Sequence, residues 1–112
     1  MKITVSGHHV KVTQGIREAI ERKFAKIAKH FPSILHLDSV IRVEPNRQQL
    51  EVTTLYEGEK ISVRATAKEL YMAIAEASGK LEAALKRRKG MMSKKLHTKY
   101  QVPQSALFEP AN

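Results

Sequence analysis

Apolar residues along this chain repeat with period two in some stretches and with helical spacing in others, and the switches between the two lay out its elements. Ile3 and Val5 alternate with polar neighbours over residues 2–6, which predicts a first strand broken by Gly7 and the His8–His9 pair. Val10 and Val12 lead inward, and Thr13 is a suitable N-cap for a helix over 14–31. Ile16, Ile20, Phe24, Ile27 and Phe31 form its apolar stripe. Pro32 disfavours helical geometry in the residue before it, so Phe31 is the expected end. Residues 37–44 then alternate, with Leu37, Ser39, Ile41 and Val43 on one face. Pro45-Asn46 marks a turn, and 49–56 alternates again through Leu50, Val52, Thr54 and Tyr56. Glu57-Gly58-Glu59 predicts a hairpin turn into a fourth strand over 60–67, with Ile61, Val63 and Ala65 inward. The second helix is expected from Lys68 to about Lys89, with Leu70, Ile74, Ala77, Leu81 and Leu85 as its stripe and Gly90 as its stop.

The resulting order, β-α-β-β-β-α, predicts an α+β fold. It consists of a four-stranded, mostly antiparallel sheet with two helices packed on one face, because every strand has one apolar and one polar side. Residues 1–90 are expected to form one domain. Residues 91–112 show no sustained period, are interrupted by Pro103 and Pro110, and read as a basic, flexible C-terminal tail.

Charge changes the picture from fold to partner. The 112 residues carry 20 Lys and Arg against 11 Asp and Glu, a net charge of +9. A balance of this sign bears on polyanion affinity and not on fold, with nucleic acid the first candidate and an anionic membrane the second. No apolar run approaches the roughly 20 residues that cross a bilayer, and Met-Lys-Ile-Thr-Val at the start lacks a signal-peptide core. The absence of cysteine excludes disulfide and thiolate chemistry and fits a reducing compartment. A soluble, cytoplasmic protein is expected.

The cations fall on the helices. Arg22, Lys26 and Lys29 lie opposite the first apolar stripe, and Lys80 and Arg87 lie on the flank of the second. If both helices cover one core, these faces can meet in one surface, where phosphate contacts release counterions and bind strongly at low salt. The competing reading is that an outer helix face is simply solvated. Two such helices on one layer favour binding, as does a stretch from Ala83 to Phe108 with seven Lys or Arg and no acid. Glu18, Glu21, Glu69, Glu76 and Glu82 temper the charge, and Glu76 precedes Lys80 by four, the favourable order for a helical ion pair. Lys86-Arg87-Arg88-Lys89 has no such partner and is the cleaner cluster.

Little else carries chemistry. His8, His9, His30, His36 and His97 lack the spacings of a zinc site. There is no GxSxG, Walker loop or GxGxxG, and Glu57 and Glu59 read as hairpin solubilisers. Neither enzyme activity nor a cofactor or small-molecule substrate is expected. Phe24 and Phe31 are assigned to the core and Tyr71 is expected half-buried, while Tyr100 and Phe108 are the aromatics freest to meet a partner. The sheet lacks stacking aromatics, so recognition should rest on phosphate contacts and shape.

Several segments together resemble the short ribosome hibernation promoting factors and the related ribosome-associated translation inhibitor. They are Met1-Lys2-Ile3-Thr4-Val5-Ser6-Gly7, Val12-Thr13 with Ile16-Arg17, and Phe24-Ala25-Lys26-Ile27. The most specific is Ala67-Lys68-Glu69-Leu70-Tyr71-Met72-Ala73-Ile74 followed by Lys80-Leu81-Glu82, in which Lys68 and Ala75 replace the family's usual acid and its Asp or Asn. The likeness spans roughly residues 1–90. It implies a fold like a double-stranded-RNA-binding domain with an added strand. It also implies binding to the small ribosomal subunit and its ribosomal RNA, in the channel for messenger and transfer RNA, with no membrane partner. Translation would stop by occlusion and idle ribosomes would be kept intact. The family's basic positions correspond to Lys23, Lys26 and Lys29 on the first helix and to Lys80, Lys86 and Arg87 on the second; Arg22, Arg88 and Lys89 are added from charge alone. Long members carry a C-terminal dimerisation domain, for which 112 residues leave no room, and the inhibitor-type relative has an acid-rich tail, whereas this one is basic until Glu109. Promotion or prevention of ribosome pairing stays open on these residues, as do two alternative readings: a general double-stranded-RNA-type module, and an interaction protein for an acidic partner or membrane.

Overall fold

The computed structural model describes the backbone of residues 1–101 and the side chains of residues 1–92. The elements follow the expected order: β1 (Lys2–His8), α1 (Gln14–His30), β2 (His36–Glu44), β3 (Arg47–Tyr56), β4 (Glu59–Ala67) and α2 (Leu70–Gln101). The strands lie in chain order in one sheet, with β1 parallel to β2 and the remaining pairs antiparallel. The parallel pair needs a crossover, and α1 supplies it.

One core holds the layers together. Leu37, Ile41, Leu50, Val52, Tyr56, Ile61 and Ala65 on the sheet meet Ile20, Phe24 and Ile27 of α1 and Ala73, Ile74, Ala77, Leu81 and Leu85 of α2. The alternation forecast from sequence is therefore the burial pattern, and the opposite face of the sheet is left to solvent. Phe31 closes one end of the core edge-to-face with Tyr56, at 5.6 Å between ring centroids, a spacing that aromatic pairs favour.

Local signals set the turns. Thr13 Oγ1 accepts the Ile16 N–H at 3.2 Å, capping α1 as expected. Pro45 and Asn46 form a two-residue hairpin, with Asn46 at φ 65°, a region that Asn tolerates. Glu57 (φ 50°) and Gly58 (φ 76°) form the second, with positive φ at both positions and Tyr56 paired to Glu59.

The strands β2, β3 and β4 begin one or two residues earlier than expected, and three further boundaries depart from the sequence expectation. β1 does not break at Gly7; it pairs through His8 with Arg42, and the chain turns at His9, where φ is 63°. Gly7 is there because a Cβ would meet the Val10 carbonyl oxygen at 2.4 Å, so the loop folding back over β1 requires hydrogen at that position. α2 begins at Leu70 and not Lys68, with the Glu69 carbonyl accepting the Met72 and Ala73 N–H groups. The helix passes through Gly90 to Gln101. A glycine stop needs the left-handed conformation, which Gly90 does not adopt, and its helical cost of about 1 kcal/mol is small beside good helix formers on both sides. The expected tail over 91–112 thus starts as helix. Phe108 and the Tyr100 side chain lie outside the described residues.

Candidate nucleic-acid interface

α1 and α2 pack side by side and run in the same direction, as the succession of contacts along them shows. The Tyr71 hydroxyl lies 3.9 Å from the position a Cβ would take on Gly15. Further along, the buried Ser78 donates its hydroxyl to the Lys23 carbonyl at 3.2 Å. Glu82 then meets Lys26 at 3.3 Å and His30 at 3.2 Å, and Lys89 Nζ stands 5.8 Å from the centroid of Phe31. The two helices lie side by side on one layer as expected, but Ser78 and Glu82 of α2 line the seam, and of Arg22, Lys26, Lys29, Lys80 and Arg87 only Lys26 pairs across it.

The candidate cations divide three ways. Arg22, Lys23 and Lys29 on α1 and Arg87 on α2 are exposed, and among the described residues their side chains make no hydrogen bond or ion pair within the protein. Lys26 and Lys86 converge on Glu82 from opposite sides of the groove between the helices, Lys86 at 3.9 Å. The remaining three turn towards the fold. Lys80 does not pair with Glu76; its Nζ donates to the Arg64 carbonyl of β4 at 2.9 Å. β4 is an edge strand, so its outward backbone acceptors lack a neighbouring strand, and a nearby ammonium satisfies one. Arg88 is half-buried and donates from Nη2 to the Glu57 carbonyl at 3.1 Å, while its Nε is buried without a partner. Lys89 lies over Phe31. The expectation that Lys86 to Lys89 stand without partners is therefore corrected, and Arg87 alone of the four fits it.

Three residues of the groove have roles that their sequence positions do not show. Glu82, read from sequence as one of several tempering acids, is a shared acceptor for both helices. Hydrogen bonds from Lys26 and then His30, with the nearby Lys26 and Lys86 charges, hold its carboxyl below its ordinary value of 4.5, against the opposing effect of burial. His30 and Ser78 join it as interhelix contacts; the only sequence signal for Ser78 is a small polar residue within an apolar stripe. Tyr71, expected half-buried, is 58% exposed because it stands at the groove margin with only a glycine opposite.

The uncovered sheet face differs in kind. Its charges are interleaved and partly paired: Arg64 with Glu51 at 3.3 Å, Arg47 with Glu44 at 2.9 Å, His36 with Asp38 at 3.1 Å, while Lys2, Arg42 and Lys60 on the same face make no ion pair among the described residues. Thr53 and Ser62 are bonded to one another across the strands, and Thr4 bonds Asp38. Among the described residues no three His, Asp or Glu side chains converge as a metal site, and no helix is long and apolar enough to cross a membrane. What the helix side offers chemically is a row of exposed ammonium and guanidinium groups carried on two packed helices, suited to a phosphate backbone.

A protein of this architecture and charge arrangement is one of a class of small basic α+β proteins, and comparison with known proteins gives the family. Residues 3–93 match the family described as sigma 54 modulation protein / S30EA ribosomal protein, and the chain belongs to it. It is 33% identical over 89 residues to the ribosome hibernation promoting factor of Pseudomonas putida, covering 80% of this chain and 87% of that one. With the Salmonella typhimurium factor of the same name the identity is 32%, over 80% of this chain and 94% of the relative. The fold is shared with a ribosomal subunit interface protein from Coxiella burnetii, at TM-score 0.76 and 21% identity over 80% of this chain and 99% of that structure. It is also shared with the N-terminal domain of Thermus thermophilus Protein Y, at TM-score 0.71 and 25% identity over 78% and 98%.

Proposed function

We propose that this chain is a ribosome hibernation factor. It binds ribosomal RNA in the messenger- and transfer-RNA channel of the small subunit through the α1–α2 face, blocks translation, and keeps idle ribosomes intact in the cytoplasm. The observation that carries the reading is the parallel packing of α1 and α2, which brings Arg22, Lys23, Lys26, Lys29, Lys86 and Arg87 to one side of the molecule. The names of the relatives supply the class of partner, and the opposite face interleaves its cations with Asp38, Glu44 and Glu51, whereas the exposed outer side of α1 groups Arg22, Lys26 and Lys29. The domain of residues 1–90 carries this surface. The chain beyond it adds Lys94, Lys95 and Lys99 in sequence and extends the basic character past the core.

Phosphate contacts of this kind make binding fall steeply with salt. The test is sedimentation of the purified protein with small subunits at several salt concentrations, with and without transfer RNA, alongside cell-free translation. Salt-sensitive pelleting that transfer RNA displaces, with loss of translation, is the expected result. Failure to pellet with small subunits at low salt overturns the reading. Equal affinity for any long RNA duplex would replace it with a general double-stranded-RNA module.

A further inference from the structure

Glu82 is the one carboxylate of the described residues on which cations from both helices converge. Its side chain is 15% exposed, against 50% for Lys26 and 67% for Lys86, so it forms the floor of the groove and the lysines form its rim. An ammonium carries three N–H donors; Lys26 turns one to Glu82 at 3.3 Å, and Lys86, at 3.9 Å, is attracted by charge alone. The remaining donors are left to the solvent side, where an incoming phosphate would arrive. We infer that Glu82 is a positioning and specificity-determining residue of the RNA interface: it pre-orders Lys26 and Lys86 as a cradle for one phosphate, and its own charge disfavours polyanions whose phosphates do not fit that cradle. The inference rests on reading the helix pair as an RNA interface.

Two physical effects act together. Lysine side chains lose rotamer freedom on being held; a carboxylate that already draws them together removes part of that cost from binding. The same carboxylate repels any anion near it, so a flexible polyanion, which gains from net charge more than from geometry, is disfavoured most. Specificity then arises from an element that lowers general affinity.

The experiment compares the full chain with E82Q and K26Q/E82Q for binding to polyuridylate and to small ribosomal subunits over a range of salt. Glutamine keeps the shape and removes the charge. E82Q is expected to bind polyuridylate about fivefold more tightly at low salt, the size of one exposed ion pair released, with a salt slope steeper by about one phosphate contact. Its gain for subunits should be smaller, so its preference for subunits falls. K26Q/E82Q should return towards the parent affinity for polyuridylate. Unchanged or weaker polyuridylate binding by E82Q overturns the inference, as does a gain that persists without Lys26. Should E82Q not fold, K26Q and R22Q carry the test. K26Q leaves Lys86 facing Glu82 without the cradle, so it should lose more affinity for subunits than for polyuridylate while R22Q loses both alike, and the same pattern in both variants overturns the inference. Failure of the parent protein to prefer subunits over polyuridylate would refute the ribosomal reading alone, because the polyuridylate comparison reads Glu82 by itself.

Discussion

Arg87 and Arg88 are adjacent in sequence and opposite in placement, and replacing each by alanine separates contact with RNA from support of the fold. Arg87 is exposed, without a protein partner among the described residues, whereas Arg88 is half-buried and donates to the Glu57 carbonyl at the β3–β4 turn. If Arg87 neutralises one phosphate, it contributes about 0.7 to 0.9 to the slope of log affinity against log salt. The ratio of parent to R87A affinity should then fall about threefold between about 50 and about 200 mM salt. Its melting temperature should hold to within about 3 °C, since exposed substitutions stay within about 0.5 kcal/mol. R88A loses a hydrogen bond from a charged donor, worth about 1.5 to 3 kcal/mol in general. Here the gain is reduced because Nε is left buried without a partner, and a cost of about 1.5 kcal/mol is expected. That corresponds to a melting point lower by roughly 6 to 12 °C for a domain of this size, with an unchanged salt slope. The assays are filter or fluorescence binding to small subunits at four salt concentrations and a circular-dichroism melt. If R88A flattened the salt dependence as R87A does while melting like the parent, its guanidinium would belong to the RNA surface and the division of cations drawn from the structure would be wrong.

Three further outcomes are expected. Ser78→Ala removes a buried hydroxyl that joins α2 to the Lys23 carbonyl; urea denaturation should show a loss of about 1 kcal/mol, and an unchanged midpoint would mean the bond contributes nothing to helix packing. Gly7→Ala places a Cβ 2.4 Å from the Val10 oxygen, and the loop must shift at a cost of about 1 to 3 kcal/mol; a variant as stable as the parent would show that the 9–12 loop yields freely. The acid dependence of stability includes Glu82. Its folded pKa is depressed by Lys26, His30 and Lys86, so its contribution is fully present above its unfolded value and is lost as pH falls below about 4.5 through the folded value. E82Q should therefore lose less stability than the parent between pH 7 and pH 3.5, measured by urea midpoints, and equal losses would show that the pair network does not stabilise the fold.

What was legible in the sequence was local. Pro45-Asn46 and Glu57-Gly58 declare their turns because the required backbone angles suit few other residues. The alternation of Leu50, Val52, Thr54 and Tyr56 states which side of β3 is buried, because a one-residue slip would expose all four. The end of α2 was not legible: glycine permits a stop but does not impose one, and only the conformation of Gly90 decides. Charge partners were legible only in part: Glu82 precedes Lys86 by four and meets it at 3.9 Å, but the other partners of this surface were not. The rule of four pointed Lys80 at Glu76, but the unpaired carbonyl of an edge strand 16 residues earlier is the acceptor it meets. Lys26 and Glu82 are 56 positions apart and face each other only because the crossover sets α1 beside α2 in the same direction. Sequence spacing reports neighbours within a helix, and this surface is made between helices.

The distribution of charge follows from that geometry. A helix packed on a sheet and on a second helix has three surroundings: core, groove and solvent. On α2 the core takes Ile74, Ala77, Leu81 and Leu85, the groove takes Ser78, Glu82 and Lys86, and Lys80 and Arg88 fall at the borders with β4 and the β3–β4 turn. A border cation is bent towards the nearest unpaired carbonyl, because a backbone acceptor at a sheet edge or a tight turn is otherwise left to water. On α1, Arg22 and Lys29 lie on the solvent side, away from the sheet and from α2, and no border claims them. The cationic surface is therefore weighted towards α1, with Lys86 and Arg87 as the share of α2, although the sequence places its densest run of charge, Lys86 to Lys89, on α2. Density of charge along a chain and density of charge available to a ligand are different quantities, and the packing of the helices converts the one into the other.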